Sequence, residues 1–214
     1  KKIINFPMVL LNSESSEVDY YRLSKLKNTS YIFYPTQPHP HKRLDLLIDA
    51  WIILNKKLKS ASKEPVSLVL TVGDIPEYLK TRIYQNNLFS YLLLHPSVND
   101  ASIKYIYENA VCLSFTSEME GNFPTQIIES ILYKCPVVAF EMPLLDETLT
   151  TSDKKNILTS DFSDLECFVG NILKAMNNRN LILKKQNKLI KKIKLHHSYI
   201  NFSKNIINMH KKIK

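Results

Sequence analysis

The sequence predicts an α/β fold: a single Rossmann-like, doubly wound parallel sheet with extra helices at its C-terminal end. Three observations point there. Short apolar runs alternate with helical patterns at least four times between Tyr31 and Phe140, which argues for parallel strands joined by right-handed crossovers. Apolar residues fill 44% of 214 positions, enough for an ample core. Two strand ends run into glycine-containing loops, at Gly73 and at Gly121.

Residues 1–28 start with an apolar piece (3–11), then a polar stretch and a short amphipathic segment around 20–26. They read as a linker leading into the domain rather than a core element. Residues 31–35 form a buried strand stopped by Pro35. The loop 36–41 leads to a helix beginning near Lys42. In it, Leu44, Leu47, Ile48, Trp51 and Leu54 keep the i, i+3, i+4 rhythm of one buried face. Residues 66–72 are the second strand, ended by Gly73-Asp74, and Pro76 opens a helix to about Asn86. Residues 91–94 are the third strand, and Asp100 or Ser102 caps the helix that follows. Strands over 111–115 and 137–140 enclose a helix to about Lys134. An edge strand is expected at 156–158, with helices over 161–176, 181–195 and 199–212. The expected units are a lead-in (1–28), the sheet domain (29–176) and basic helices packing on it (177–214).

Composition narrows the function classes. The net charge is +9, but residues 177–214 hold eleven of the 29 Lys and Arg and no Asp or Glu. The rest carries 29 − 11 = 18 basic against 20 acidic side chains, or −2. The basicity belongs to the tail, which weakens a nucleic-acid reading of the whole domain. Lysines 184, 185, 188, 191, 192 and 194 interleave with Leu189, Ile190 and Ile193. Such a helix either packs on the sheet with a solvated lysine face or attaches to anionic lipid, at about 1 kcal/mol per lysine. No apolar run approaches the ~20 residues needed to span a bilayer. The start Lys1-Lys2-Ile3 has neither an initiator Met nor a signal-peptide pattern, as expected for a piece of a longer chain. Cys112, Cys135 and Cys167 lack metal spacing and read as buried thiols in a reducing compartment.

Residues 117–129 hold the chemistry. An apolar strand, a turn with Gly121, and Pro124 at the start of a helix make an anion-binding arrangement. Pro124 suits the first helical position, where its missing N–H costs nothing, leaving the N–H groups of Thr125 and Gln126 to face an anion. Thr125 and Glu129 are four apart and share a face; Ile127, Ile128, Ile131 and Leu132 form the buried one. Gly121 suits a backbone that needs positive φ or close approach to a ligand, and Gly73 likewise. Lys42 and Arg43, at a helix's first turn, oppose its dipole. They are either solvated or matched to a bound anion. His39, His41 and His95 have poor spacing for a metal site.

The ordered set resembles the nucleotide-sugar-binding C-terminal domain of the retaining glycosyltransferases of family 4, which have the GT-B fold. Tyr34 to Arg43 followed by Leu46 to Ala50 looks like that family's first strand, phosphate-facing loop and helix. Residues 68–73 are similar to its second strand and small-residue loop, and 102–110 to its helix before the glutamate-rich strand end. Glu120-Gly121-Asn122-Phe123-Pro124, with Glu129 and Pro136-Val137-Val138, is the most specific match. Two departures stand out. Glu120 and Glu129 enclose eight residues where the family encloses seven, an insertion assigned to Asn122. The family's arginine before the lysine is Gln37 here, so Lys42, with Arg43 or His41, would carry the diphosphate contact.

The resemblance implies that Lys42 is the diphosphate cation, that Glu129 accepts from ribose hydroxyls, and that Glu120 faces the sugar, with Glu118 a competitor. Val98 would contact the base through its main chain, and Gly73 would lie beneath the nucleotide. The residues expected against the donor are thus Gln37, His41, Lys42, Arg43, Gly73, Val98, Gly121, Asn122, Phe123, Pro124, Thr125 and Glu129. It further implies hexose transfer from a nucleotide sugar to a glycan or lipid-linked acceptor, without a metal. The N-terminal acceptor-binding domain is expected outside this chain, and polysaccharide biosynthesis is the expected setting. The expected location is cytoplasmic, with peripheral contact to the membrane face through the basic helices and no nucleic-acid partner. An epimerase-like domain, a non-catalytic partner subunit and a tail-driven nucleic-acid binder are the competing readings.

Overall fold

The computed structural model describes residues 17–121, 123–196 and Ser203. The apolar opening at 3–11, Asn122 and the expected final helix over 199–212, Ser203 apart, lie outside the described residues.

Six strands form one sheet: β1 (Tyr31–Tyr34), β2 (Ser67–Leu70), β3 (Leu92–Leu94), β4 (Leu113–Phe115), β5 (Val137–Phe140) and β6 (Leu158–Ser160). Their order is β3-β2-β1-β4-β5-β6 and every pairing is parallel. The winding reverses between β1 and β4. Beyond the carboxyl ends of those two strands lies the crevice where such sheets hold ligands.

Eight α-helices accompany the sheet among the described residues: α1 (Leu44–Ser60), α2 (Glu77–Gln85), α3 (Asp100–Asn109), α4 (Thr125–Leu132), α5 (Leu145–Thr148), α6 (Thr151–Lys154), α7 (Leu165–Asn177) and α8 (Arg179–His196). α1 packs with α2 and α7, and α4 with α3 and α8. β1, β2, β4 and β5 are buried at every residue, as central strands covered on both faces must be. α1 is fixed to β2 by two buried side chains. Trp51 Nε1 donates to Val66 O at 2.6 Å, and Asn55 bonds both Val66 N (2.8 Å) and Val66 O (3.1 Å). Burial pushes the Cys112 thiol up and the Cys135 thiol up to about 12, so both stay neutral and inert.

Four expectations change. The lead-in contributes to the core, since Leu23 and Leu26 are buried in it. The cap of α3 is Asn99, not Asp100 or Ser102. Its side chain accepts from Ser102 N at 2.8 Å, which leaves Ser102 Oγ to accept from Asp19 N at 3.0 Å. α1 begins at Leu44 rather than near Lys42, because Pro40 starts a separate 3-10 turn, Pro40–Lys42, that ends before it. The edge strand is Leu158–Ser160, displaced from 156–158 by α6 and its capping box, in which Thr150 and Asp153 bond reciprocally.

Candidate functional site

The loops after β1 and β4 meet at the reversal point. The β1 loop turns through Pro40–Lys42 and then through Arg43, whose φ and ψ are both 48°. The β4 loop lies across it: Glu118 N donates to His41 O at 2.8 Å, and Thr116 Oγ1 donates to Lys42 O at 2.9 Å. With Lys42 O held by buried Thr116, the side chain of Lys42 points along the crevice and reaches Glu120. Lys42 Nζ and Glu120 Oε1 are 2.5 Å apart, with side chains only 10% and 15% exposed. Taking two charges this far out of water is costly, and their mutual attraction offsets that cost.

Arg43 is occupied differently. Its guanidinium forms two bonds to Asp45 (3.1 and 3.0 Å) and a longer one to Glu118 (3.4 Å). Asp45 in turn is the acid in the first turn of α1, the charge that end of a helix favours. Lys42 and Arg43 thus precede the helix instead of occupying its first turn. The two glutamates of the turn are also distinguished: Glu118 is 59% exposed beside Arg43, and Glu120 is nearly buried against Lys42.

Pro124 is the N-cap of α4, with ψ 118°, and not its first helical residue. An extended ψ is what turns the chain from the loop into the helix. Thr125 and Gln126 remain in the first turn, whose N–H groups have no partner within a helix. Glu129, one turn further, is half-buried and accepts from Tyr107 Oη at 3.0 Å. Burial raises the Glu129 carboxyl above its ordinary range, the Tyr107 hydrogen bond opposes this, and Asp100 adds to it. Tyr107 itself is fully buried against Phe33. Sequence reasoning placed Tyr107 in a helix but missed this contact; a phenol among apolar helix positions was the available signal. The Tyr34 hydroxyl, at the end of β1, is buried as well.

The glycines behave otherwise than expected. Neither Gly73 nor Gly121 has positive φ. Gly121 borders open space, and Gly73 approaches only the Pro96 side chain, at 3.8 Å from where a Cβ would stand. In the loops that follow β1 and β3, left-handed backbone is taken instead by Arg43 and by Ser97. Gln37 and Gly121 are exposed, His41, Val98 and Thr125 half-buried, Phe123 and Pro124 buried. Val98 lies apart from the Lys42–Glu120 pair, on a cavity of about 570 Å³ beyond β3 that is also lined by Arg22, Lys25 and His95. Burial and Lys25 lower the His95 pKa, and its Nε2 has no hydrogen-bond partner among the described residues. Lys42, Glu120 and Glu129 do not line this cavity; of the expected donor residues it adjoins Val98 alone. Among the described residues no three His, Cys, Asp or Glu side chains converge as metal ligands do.

The sequence profile of the glycosyl transferases group 1 matches residues 21–196. The chain belongs to the group 1 glycosyltransferases. No curated protein matches it in sequence. Among solved structures, this glycosyltransferase chain is similar to a mutant of S. aureus TarM in complex with fondaparinux, α-GlcNAc-glycerol and UDP. The TM-score is 0.71 at 20% identity, over 94% of this chain and 38% of that one. HepE of Anabaena in complex with UDP-glucose gives 0.71 at 15%, over 90% and 52%. The C-terminal domain of the group 1 protein LpcC from Francisella tularensis gives 0.64 at 15%, over 86% and 95%. The chain therefore spans less than two-fifths of the length of TarM and nearly all of an isolated C-terminal domain. These likenesses are of fold: a single six-stranded parallel sheet with flanking helices.

Proposed function

We propose that this chain is the donor-binding half of a retaining glycosyltransferase that transfers a hexose from a nucleoside diphosphate sugar to a glycan or lipid-linked acceptor. The observation that carries this reading is the meeting of Lys42 and Glu120 at the reversal point of the sheet. Cleavage of the sugar–diphosphate bond leaves negative charge on the departing phosphate. An ammonium and free helix amides held in a shielded crevice stabilise that charge more than water-exposed groups would. Lys42 takes the diphosphate, with the N–H groups of Thr125 and Gln126 beside it. Glu120, released from Lys42 when the phosphate arrives, accepts from a sugar hydroxyl. Glu129 accepts from the ribose hydroxyls, with Tyr107 fixing its position.

Gln37 and His41 edge the phosphate site, and Arg43 acts by holding Glu118 and Asp45 rather than by touching phosphate. Gly73 and Val98 line the path to the base, and Gly121, Phe123 and Pro124 shape the turn that carries Glu120. The reaction needs no metal in this scheme. The HepE and TarM structures contain UDP-glucose and UDP, which supports a uridine donor here. Transfer itself belongs to the complete enzyme, on the cytoplasmic membrane face and in polysaccharide synthesis, with the acceptor held by a second domain.

Calorimetric titration with UDP-, GDP- and dTDP-sugars tests the reading. One class of donor is expected to bind, UDP-sugars foremost. Lys42→Ala and Glu129→Ala are each expected to weaken that binding by ~1–3 kcal/mol, the loss of charge-assisted hydrogen bonds. Unchanged affinity in both variants would refute the site. Efficient transfer by the 214-residue chain alone would refute its assignment as half an enzyme.

A further inference from the structure

α8 carries two unlike faces. Ile182, Gln186, Leu189 and Ile193 are buried, at the spacing of one helical stripe, and they seat the helix on α4 and α7. Gln186 locks this seating: it accepts from Val137 N at 2.7 Å and donates to Cys135 O at 2.8 Å. The opposite side is formed by Lys184, Lys185, Lys188 and Lys191, all exposed. Leu181 and Leu195 lie on the same side, 56% and 71% exposed. Residues 181, 188 and 195 are seven apart and so fall on one line, spanning about 21 Å of helix. Lys192 is engaged with Asp153. Among the described residues these four lysines, and the exposed Lys194, form no ion pair with a carboxylate, and the surrounding tail offers no acid to neutralise them.

We infer that this face of α8 docks on an anionic phospholipid bilayer. Charge complementarity selects the occupant. A stripe of lysines on one rigid helix, on a domain whose remainder is nearly neutral, matches a plane of negative headgroups. The seating of α8 dictates the mode. Its apolar stripe is already buried in the domain, so the helix cannot lie in the interface with that stripe among acyl chains. Contact is through the lysines at headgroup level, with Leu181 a large apolar group exposed beside them. Binding is therefore reversible, salt-sensitive and oriented. The inference is independent of the donor site, because none of the residues proposed for the donor lies on α8.

Co-sedimentation of the 214-residue chain with vesicles tests it. The chain is expected to bind vesicles of phosphatidylcholine with 30 mol% phosphatidylglycerol and to leave pure phosphatidylcholine in solution. Raising the salt from 0.1 to 0.5 M is expected to release it, as the Debye length falls below the headgroup distance. Lys184→Glu/Lys188→Glu/Lys191→Glu, a solvent-face variant whose fold is checked by circular dichroism, is expected to lower partitioning on the order of 100-fold. The matching Lys→Arg triple variant is expected to bind as before. Equal binding to both vesicle types, unchanged binding by the Glu variant, or tighter salt-sensitive binding to duplex DNA than to the anionic vesicles would each overturn the inference.

Discussion

The two ends of strand β4 hold polar side chains and use them in opposite ways. At the amino end, Arg179 donates to four backbone carbonyls, those of Glu108, Ala110, Val111 and Lys134, and so ties α3, β4 and α4 to the start of α8. Gln186 does the same for the residues entering β5. At the carboxyl end the charged side chains pair with other side chains, Lys42 with Glu120, Arg43 with Asp45 and Glu118, Glu129 with Tyr107, while the Thr116 and Tyr107 hydroxyls also reach the carbonyls of Lys42 and Gln126. A backbone carbonyl has nowhere to go, so bonds to it are permanent parts of the fold. A side chain paired with another can exchange its partner for a ligand. The amino end is built to stay, and the carboxyl end to be rearranged.

Arg179→Ala is the largest break in this contrast. It strips charged donors from carbonyls at three element ends, and is expected to cost ~3 kcal/mol of stability in urea unfolding. Donor affinity in the folded protein should be unchanged; a weaker donor Kd with intact stability would reverse the contrast. A smaller effect belongs to the carboxyl end. Tyr107→Phe removes one hydroxyl from Glu129 and should cost ~1 kcal/mol in stability. Donor affinity should fall as well, because Glu129 loses the group that fixes it. Equal affinities would show that Glu129 is positioned by α4 alone.

The subtlest effect is in pH dependence. Burial raises the Glu129 carboxyl. Between the ordinary glutamate value and the raised one, the folded protein keeps a proton that the unfolded chain has released. Stability therefore declines as pH rises through that window. Glu129→Gln should flatten this part of the stability–pH curve and leave the protein somewhat more stable at neutral pH. A variant whose curve still declines there would place the proton elsewhere.

Much of the sheet was legible because its strands are short apolar runs with plain stops: Tyr31–Tyr34 before Pro35 and Val137–Phe140 were read within a residue. The α1 face was legible too, since Leu47, Ile48, Trp51 and Leu54 are all fully buried. The end of the β1 loop was not. Spacing cannot reveal that Arg43 adopts a left-handed backbone, a cost of ~1–2 kcal/mol that its bonds to Asp45 and Glu118 offset. Nor can it show which acid of the turn meets Lys42. Glu118 and Glu120 differ by two positions in sequence, and their contacts differ through long-range bonds, Glu118 N and Ser117 Oγ to His41 O among them. The long-range anchors at Arg179 were hidden for the same reason: their partners are carbonyls, which every residue has.

Lys42 and Glu120 are 78 residues apart, and neither loop alone forms the crevice between them. The unfolded chain therefore has no such crevice, and any ligand that binds there draws on the folded state only. By mass action a ligand at one hundred times its Kd adds about 2.7 kcal/mol to the folding equilibrium. Where stability is modest, the supply of such a ligand would govern how much of the domain survives.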